Sequence, residues 1–300
     1  MSPAQAQSSL SPRPTPKNAL VLGCTGMVGR SWMQLLKELN IPCVGLSRPK
    51  FDLLNSDSID RCLKNPPELV INASAWTDVD GAEAQEDLAT QANAHAVARI
   101  AQHCADAGST LLTYSTDYVF SGNANTPYAT NQTIDPINAY GRSKARGEEL
   151  LAQSNANTIL IRTSWVYAPW GTNFVRTIDA LAASRDELSV VNDQQGRPTN
   201  AIELAKNSLK LYLAGALDTW HLTDAGECTW FDFASQLIAH QNHTCTTSPC
   251  SSDKFPRPAR RPAYSTLDIE PTINLIGPLE HWKSGLSSVL KQIKTDSTNQ

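Results

Sequence analysis

A chain of 300 residues, 41% of them hydrophobic, can bury a sizeable core as one large α/β domain or as one domain with a smaller companion. Its formal charge of -4 is spread without a block of either sign, which excludes a basic nucleic-acid footprint and a membrane-surface patch and leaves small molecules as the expected partners. No apolar run reaches transmembrane length, the N-terminal segment lacks the charged start and apolar core of a signal peptide, and the seven scattered cysteines hold no Cys-x-x-Cys pair, so a reducing, cytoplasmic setting is expected.

Residues 1–17 are rich in Ser, Pro, Gln and Ala with hardly a large apolar side chain, and read as a disordered tail. From Asn18 short apolar runs alternate with helical patterns. Strands are expected at 19–22, 42–46, 69–73, 110–115, 158–162, 188–191 and 220–222. Helices are expected at 27–39, 57–64, 87–106, 139–153, 173–184 and 202–214. Alternation this regular predicts a Rossmann-type, doubly wound parallel sheet of the α/β class. After Leu222 the rhythm fades into a helix at 231–239, a Pro- and Arg-containing loop at 255–262 and a last helix at 279–293, which suit a smaller C-terminal lobe. The expected division is a dinucleotide-binding unit at 18–167, with 188–224 returning to it, and a substrate lobe from 168–187 and 225–300. His240, His243, Cys245 and Cys250 match no standard zinc spacing and read as a polar helix end and loop, so no metal site is expected.

The first strand runs into Gly23-Cys-Thr-Gly26-Met-Val-Gly29, where the helical pattern begins at Met27. Glycines there allow a tight turn and let the amides of a helix N-terminus approach a pyrophosphate, so Gly23, Thr25, Gly26, Met27, Val28 and Gly29 are candidate dinucleotide contacts. The second strand ends in Ser47-Arg48, a hydroxyl and a guanidinium where an acid would favour NAD, and this pair suits the 2'-phosphate of NADPH, with NADH as the alternative. Asp52 and Leu53 follow as candidates for the adenine side, with capping of the next helix as the other reading of Asp52.

At the end of the fourth strand stand Ser115, Thr116 and Asp117, which should face the same crevice as the glycine loop because ligands of open α/β sheets bind beyond the strands' carboxyl ends. Tyr140 and Lys144, four residues apart on a helix, share one face, so the ammonium can favour an ionised phenol.

Six stretches then occur in order: 70–80, Ser115-Thr-Asp-Tyr-Val-Phe120, Tyr140-Gly-Arg-Ser-Lys144, Arg162-Thr-Ser-Trp-Val-Tyr167, 192–199 and Arg257-Pro-Ala-Arg-Arg-Pro262. Together they resemble the extended short-chain dehydrogenase/reductase family, and within it the branch that reduces dTDP-4-dehydro-L-rhamnose. The resemblance covers all but the two ends of the chain. It implies that Tyr140 protonates the C4 oxygen of a 4-keto sugar while the nicotinamide delivers hydride, that Lys144 holds the nicotinamide ribose and lowers the tyrosine pKa, and that Thr116 bonds the carbonyl oxygen. It further implies that Ala73, Ala75 and Thr77 line the cofactor with Asn93 near them. Asp117, Trp165, Asn173, Gln194, Arg197, Arg260 and Arg261 would hold the nucleotide sugar. Ser31 stands where some members carry an acid, which weakens the resemblance at their dimer-interface metal. A homodimer stays open. So do two other readings: a non-catalytic NADP-binding subunit, like the regulatory subunit of methionine adenosyltransferase, and a reductase or epimerase of another nucleotide sugar.

Overall fold

The computed structural model describes residues 10–298. Its strands are β1 (Ala19–Leu22), β2 (Cys43–Leu46), β3 (Leu69–Asn72), β4 (Thr110–Thr116), β5 (Asn157–Thr163), β6 (Val166–Tyr167), β7 (Glu187–Val191), β8 (Gln195–Gly196), β9 (Thr199–Asn200), β10 (Asp218–His221), β11 (Cys228–Thr229) and β12 (Thr246–Cys250). Six of them form one sheet in the order β10-β5-β4-β3-β1-β2, and every neighbouring pair is parallel. The chain leaves β1 for β2 on one side and returns to β3 on the other, so the sheet has its switch point beside β1. This is a Rossmann-type α/β fold.

The sequence encodes that sheet through strands buried on both faces. In β1, Ala19 and Val21 join a cluster with Trp32, Leu36, Leu204 and Tyr212, while Leu20 and Leu22 join one with Ile59, Ile100 and Leu151. The covering helices are amphipathic. In α1 (Met27–Glu38), Trp32, Leu35 and Leu36 are buried while Gln34 and Lys37 face out. Burying Trp32 completely contributes roughly 2–3 kcal/mol. The remaining helices are α2 (Ser56–Cys62), α3 (Val79–Ala84), α4 (Glu86–Thr90), α5 (Ala96–Ala107), α6 (Ala139–Ala152), α7 (Phe174–Ala182), α8 (Ala201–Leu213), α9 (Trp230–Gln241), α10 (Glu270–Ile276) and α11 (Trp282–Thr298).

Four expectations are corrected. The tail reading fails for residues 10–17, because Arg13 donates to the carbonyls of Tyr212 and Ala216 and Leu10 packs on the core, and its remaining part, residues 1–9, lies outside the described residues. The single helix at 87–106 is α4 and α5 joined by a π-helical turn, Gln91–His95. The strand at 188–191 does not return to the main sheet. As β7 it pairs in parallel with β12, which forms where a loop was expected, and Leu188 and Val190 bury in a separate core with Val175, Phe233, Leu237, Trp282 and Val289. Cys245 belongs to that core and His243 bonds Asp179, so the His and Cys residues near 240–250 are drawn apart in role. Among the described residues no helix is long and apolar enough to cross a membrane.

Candidate active site

The site begins where β1 meets α1. Helices α2, α3, α6, α7, α8 and α9 are each capped by a side chain, from Asn55, Asp78, Asn138, Asn173, Asn200 and Thr229. The α1 cap, Gly26, offers none, which leaves the amides of Met27, Val28 and Gly29 at the positive end of the helix dipole for an anion. The glycines are required by close approach. Gly23 sits at φ +77°, and a Cβ on Gly29 would stand 2.0 Å from the Gly23 carbonyl oxygen. A Cβ on Gly23 would stand 2.8 Å from the Ser74 amide, so the loop and the turn after β3 touch through backbone alone. A pyrophosphate fits this cradle.

Thr25 and Gly26 are exposed at its lip, whereas the Val28 and Leu53 side chains pack into the two sheet cores. For those two only the backbone is left to meet a ligand. Arg48 is exposed and its guanidinium has no partner among the described residues, with Ser47 half-buried beside it. Asp52 accepts from the Leu54 amide at 3.0 Å, and Asn55, not Asp52, caps the following helix.

The turn after β3 carries Ala73 and Ala75, half-buried, and Thr77, exposed. Asn72 shapes it by accepting from the Ser74 amide, and Asn93 clamps it from the π-helical turn. The Asn93 amide accepts from Trp76 N (2.9 Å) and donates to Trp76 O (3.1 Å) and Ser143 Oγ (2.9 Å). That uses the side chain within the protein, so Asn93 braces the turn after β3 against α6.

On the catalytic side, Asn138 caps α6 and brings Tyr140 beneath the end of β4. The Thr116 hydroxyl donates to Asp117 Oδ1 at 3.0 Å and accepts from the Tyr118 amide, and Tyr118 meets the Tyr140 ring edge-on at 6.1 Å. The spacing argument for an ionised phenol fails in this structure. Part of the Tyr140 ring is exposed, yet crowding around its oxygen and the neighbouring Asp117 charge hold the phenol well above the ordinary tyrosine value, against the Thr116 hydroxyl. Lys144 points its Nζ to the Tyr114 carbonyl, 2.8 Å away. Burial brings its pKa down to about 8, opposed by the charge of Glu148. Asp117 is 3% exposed, and burial pushes its carboxyl up to about 7 against the Ser265 and Thr116 hydroxyls. Its Oδ2 lacks a hydrogen-bond partner of good geometry among the described residues.

Across the crevice, Trp165 adopts φ +47° and stacks on Trp230 with ring centroids 3.5 Å apart, and Phe174 backs the pair. An aromatic held in the left-handed region at a strand end is strain kept in place by its surroundings, as functional clefts often show. Arg197 is half-buried, donates to Gly226 O at 3.3 Å and keeps its Nε unpaired, so it has donors free for a phosphate. Gln194 is half-buried beside it, and Arg260 is exposed. Two other candidates are already engaged. Asn173 donates to the carbonyls of Ala168 and Trp170 and caps α7, and Arg261 forks onto Asp80. Sequence reasoning missed Asp80 and the buried pair Arg162–Glu148, although Glu148 lies four residues beyond Lys144 and was readable by spacing.

A family model described as the RmlD substrate binding domain matches residues 17–295. The chain belongs to this family. It is 34% identical over 283 residues to a dTDP-4-keto-6-deoxy-D-glucose reductase of Streptomyces niveus, covering 93% of this chain and 98% of the relative. A dTDP-4-dehydrorhamnose reductase of Escherichia coli K12 is 33% identical over 296 residues, with the same coverage. Among solved structures, a dTDP-4-dehydrorhamnose reductase of Clostridium acetobutylicum superposes with TM-score 0.88 at 33% identity, covering 92% of this chain and 99% of that one. The Bacillus anthracis enzyme, solved in complex with NADP, also gives TM-score 0.88, at 30% identity, covering 93% and 100%. The RmlD assignment thus spans both the sheet and the smaller lobe.

Proposed function

We propose that this RmlD-family chain reduces dTDP-4-dehydro-β-L-rhamnose to dTDP-β-L-rhamnose with NADPH, in the cytoplasm. The observation that carries the reading is the placement of Thr116 at the carboxyl end of β4 with Tyr140 and Lys144 one turn apart on α6, Lys144 reaching the β4 carbonyl of Tyr114, together with an uncapped glycine-bounded helix end at α1. Relatives named for this reaction, and a structural neighbour solved with NADP, support it. The nucleotide-binding unit is 18–167 with α8 and β10. Segments 168–187 and 225–300, with β7, build the sugar-nucleotide lobe.

NADPH, when bound, supplies the hydride for C4. The first-turn amides of α1 hold its pyrophosphate and Arg48 its 2'-phosphate. Thr116 turns its single hydroxyl proton from Asp117 to the C4 carbonyl oxygen when the sugar enters, and Tyr140 gives that oxygen a proton as negative charge develops. A phenol kept protonated by burial suits a donor in the reducing direction. Lys144 holds the nicotinamide ribose in register. Trp165 packs on the sugar, and Arg197, with Arg260, meets the diphosphate.

Loss of NADPH absorbance on adding dTDP-4-dehydro-L-rhamnose tests the proposal. No turnover by protein that binds NADPH would favour a non-catalytic NADP-binding role. The Streptomyces niveus relative favours one competing substrate, dTDP-4-keto-6-deoxy-D-glucose, and a higher kcat/KM for it would reassign the sugar. Tyr140→Phe should lower kcat about a hundredfold or more with the NADPH Kd nearly unchanged, as for loss of a general acid.

A further inference from the structure

Tyr140, Lys144 and Glu148 recur at every fourth residue and so lie on one face of α6. Glu148 is 7% exposed, and a carboxylate that deep requires a counter-charge and hydrogen bonds. Arg162 supplies them from β5, with Nη2 2.6 Å and Nε 3.1 Å from the Glu148 oxygens, and Ser115 donates its hydroxyl from β4. Arg162 is closed in as well. Its Nη1 bonds the Thr130 carbonyl at 2.9 Å and meets His221 Nε2 at 3.2 Å, and its guanidinium lies over the Phe120 ring. Burial and the Arg162 charge keep His221 down at about 3, so the imidazole adds no second cation. Lys144, Glu148, Ser115 and Asn93 border one small cavity.

The groups facing Lys144 can be enumerated by element. Glu148 comes from its own helix, on which Tyr140 lies one turn earlier, the Tyr114 carbonyl and Ser115 come from β4, and the neutral Asn93 from the π-helical turn. Arg162 stands behind Glu148 on β5, and Asp117 acts on Tyr140. Glu148 is therefore the anion placed to act on the Lys144 ammonium, and three elements fix its position.

We propose that Glu148 is a positioning residue for the Tyr140–Lys144 pair: locked by Arg162 and Ser115, its carboxylate keeps the Lys144 ammonium charged and seated on the Tyr114 carbonyl. The proposal deepens the reductase reading and rests on it for its catalytic meaning. Burial alone favours the neutral amine, and the Glu148 charge opposes it. Removing that charge makes Lys144 lose its proton earlier as pH rises.

Two readouts test this. In protein labelled with 13Cε-lysine, with the Lys144 signal assigned by Lys144→Arg, the titration midpoint should fall by about one pH unit in Glu148→Gln. The alkaline limb of kcat/KM for the sugar nucleotide should move down by the same amount. Glu148→Gln leaves Arg162 buried and unpaired, so the pairing partner is removed in Glu148→Gln/Arg162→Met, which should recover thermal stability and still show the lowered midpoint. A Lys144 midpoint unchanged in the single variant, or restored in the double, would overturn the proposal and leave Glu148 as a mere counter-ion to Arg162. Wild-type protein that reduces no nucleotide sugar would overturn the reductase reading, yet the Lys144 titration would still report on Glu148.

Discussion

Asp117 is the residue whose proton reaches furthest. An unfolded aspartate titrates near 3.9, whereas burial pushes this carboxyl up to about 7 in the fold. Between those values the native state holds a proton that the unfolded chain has released. Stability conferred at this site is therefore highest below about pH 4, falls by roughly 1.4 kcal/mol per pH unit across the window and levels off above about 7. Asp117→Asn removes the titration, so its melting temperature should change less between pH 5 and pH 8 than that of the wild type. An unaltered slope in thermal melts would show that another group carries it. The same charge holds the Tyr140 proton, since ionised Asp117 disfavours a second anion beside it. At the other end of the cofactor groove, Arg48 is exposed and unpartnered among the described residues. Arg48→Ala should raise KM for NADPH about tenfold, the equivalent of one charge-assisted contact, with KM for NADH unmoved. Equal effects on both cofactors would remove Arg48 from the 2'-phosphate.

Helix α6 shows how an element converts packing into a site. A Cβ on Gly147 would stand 2.2 Å from the Asn93 carbonyl oxygen, backbone that cannot swing away. Gly147→Ala must push α6 from the π-helical turn, loosening the Asn93 bonds to Ser143 and Trp76 on which both α6 and the turn after β3 depend. Overpacking of this kind costs on the order of 1–3 kcal/mol. The kcat should fall more than NADPH affinity, because Tyr140 and Lys144 ride on the displaced helix, and paired melts and kinetics would check it. How much of this was legible follows from the same physics. The main strands were readable because two-sided burial writes continuous apolar runs such as Ala19–Leu22, and the helices because one buried face repeats every three to four residues. β12 was not, since Thr-Thr-Ser-Pro-Cys is polar and contains proline, and it is made a strand by pairing with β7. Leu10 to Lys17 looked disordered because what holds them is the carbonyl end of α8 gripping Arg13, a long-range contact. Tyr140 and Lys144 were visible as a spacing. The protonation of the phenol was hidden, because it depends first on burial in the fold and then on the Asp117 carboxylate brought in just after β4.

Among the described residues the main sheet and the separate core around Val175, Phe233 and Trp282 are joined by several polar contacts, one of them a junction beside the candidate site. Asp80, at the start of α3 just beyond the cofactor turn, receives a fork from Arg261, with Nη2 3.0 Å from Oδ2, and also accepts from the Ala259 amide at 3.2 Å. Asn138, the cap of the catalytic helix, donates to the Arg260 carbonyl at 2.8 Å. The 257–262 loop is thus tied to α3, just beyond the turn after β3, and to α6 at once, and Arg261 works as an anchor while the Arg260 side chain has no partner among the described residues. Hydrogen bonding to Arg261 holds the Asp80 carboxylate below its usual range. The stabilisation of the junction is therefore present above about pH 4 and fades as pH falls through the lowered value. Asp80→Asn removes a half-buried, charge-assisted fork contributing roughly 1.5–3 kcal/mol. A freed loop must be ordered again by the sugar nucleotide, so KM for that substrate should rise about tenfold or more. NADPH affinity should hold, because the glycine cradle lies on the other side of the turn. Fluorescence titration of NADPH beside steady-state kinetics separates the two, and an equal loss in both would mean that Asp80 supports the cofactor turn itself and does not latch the lobe.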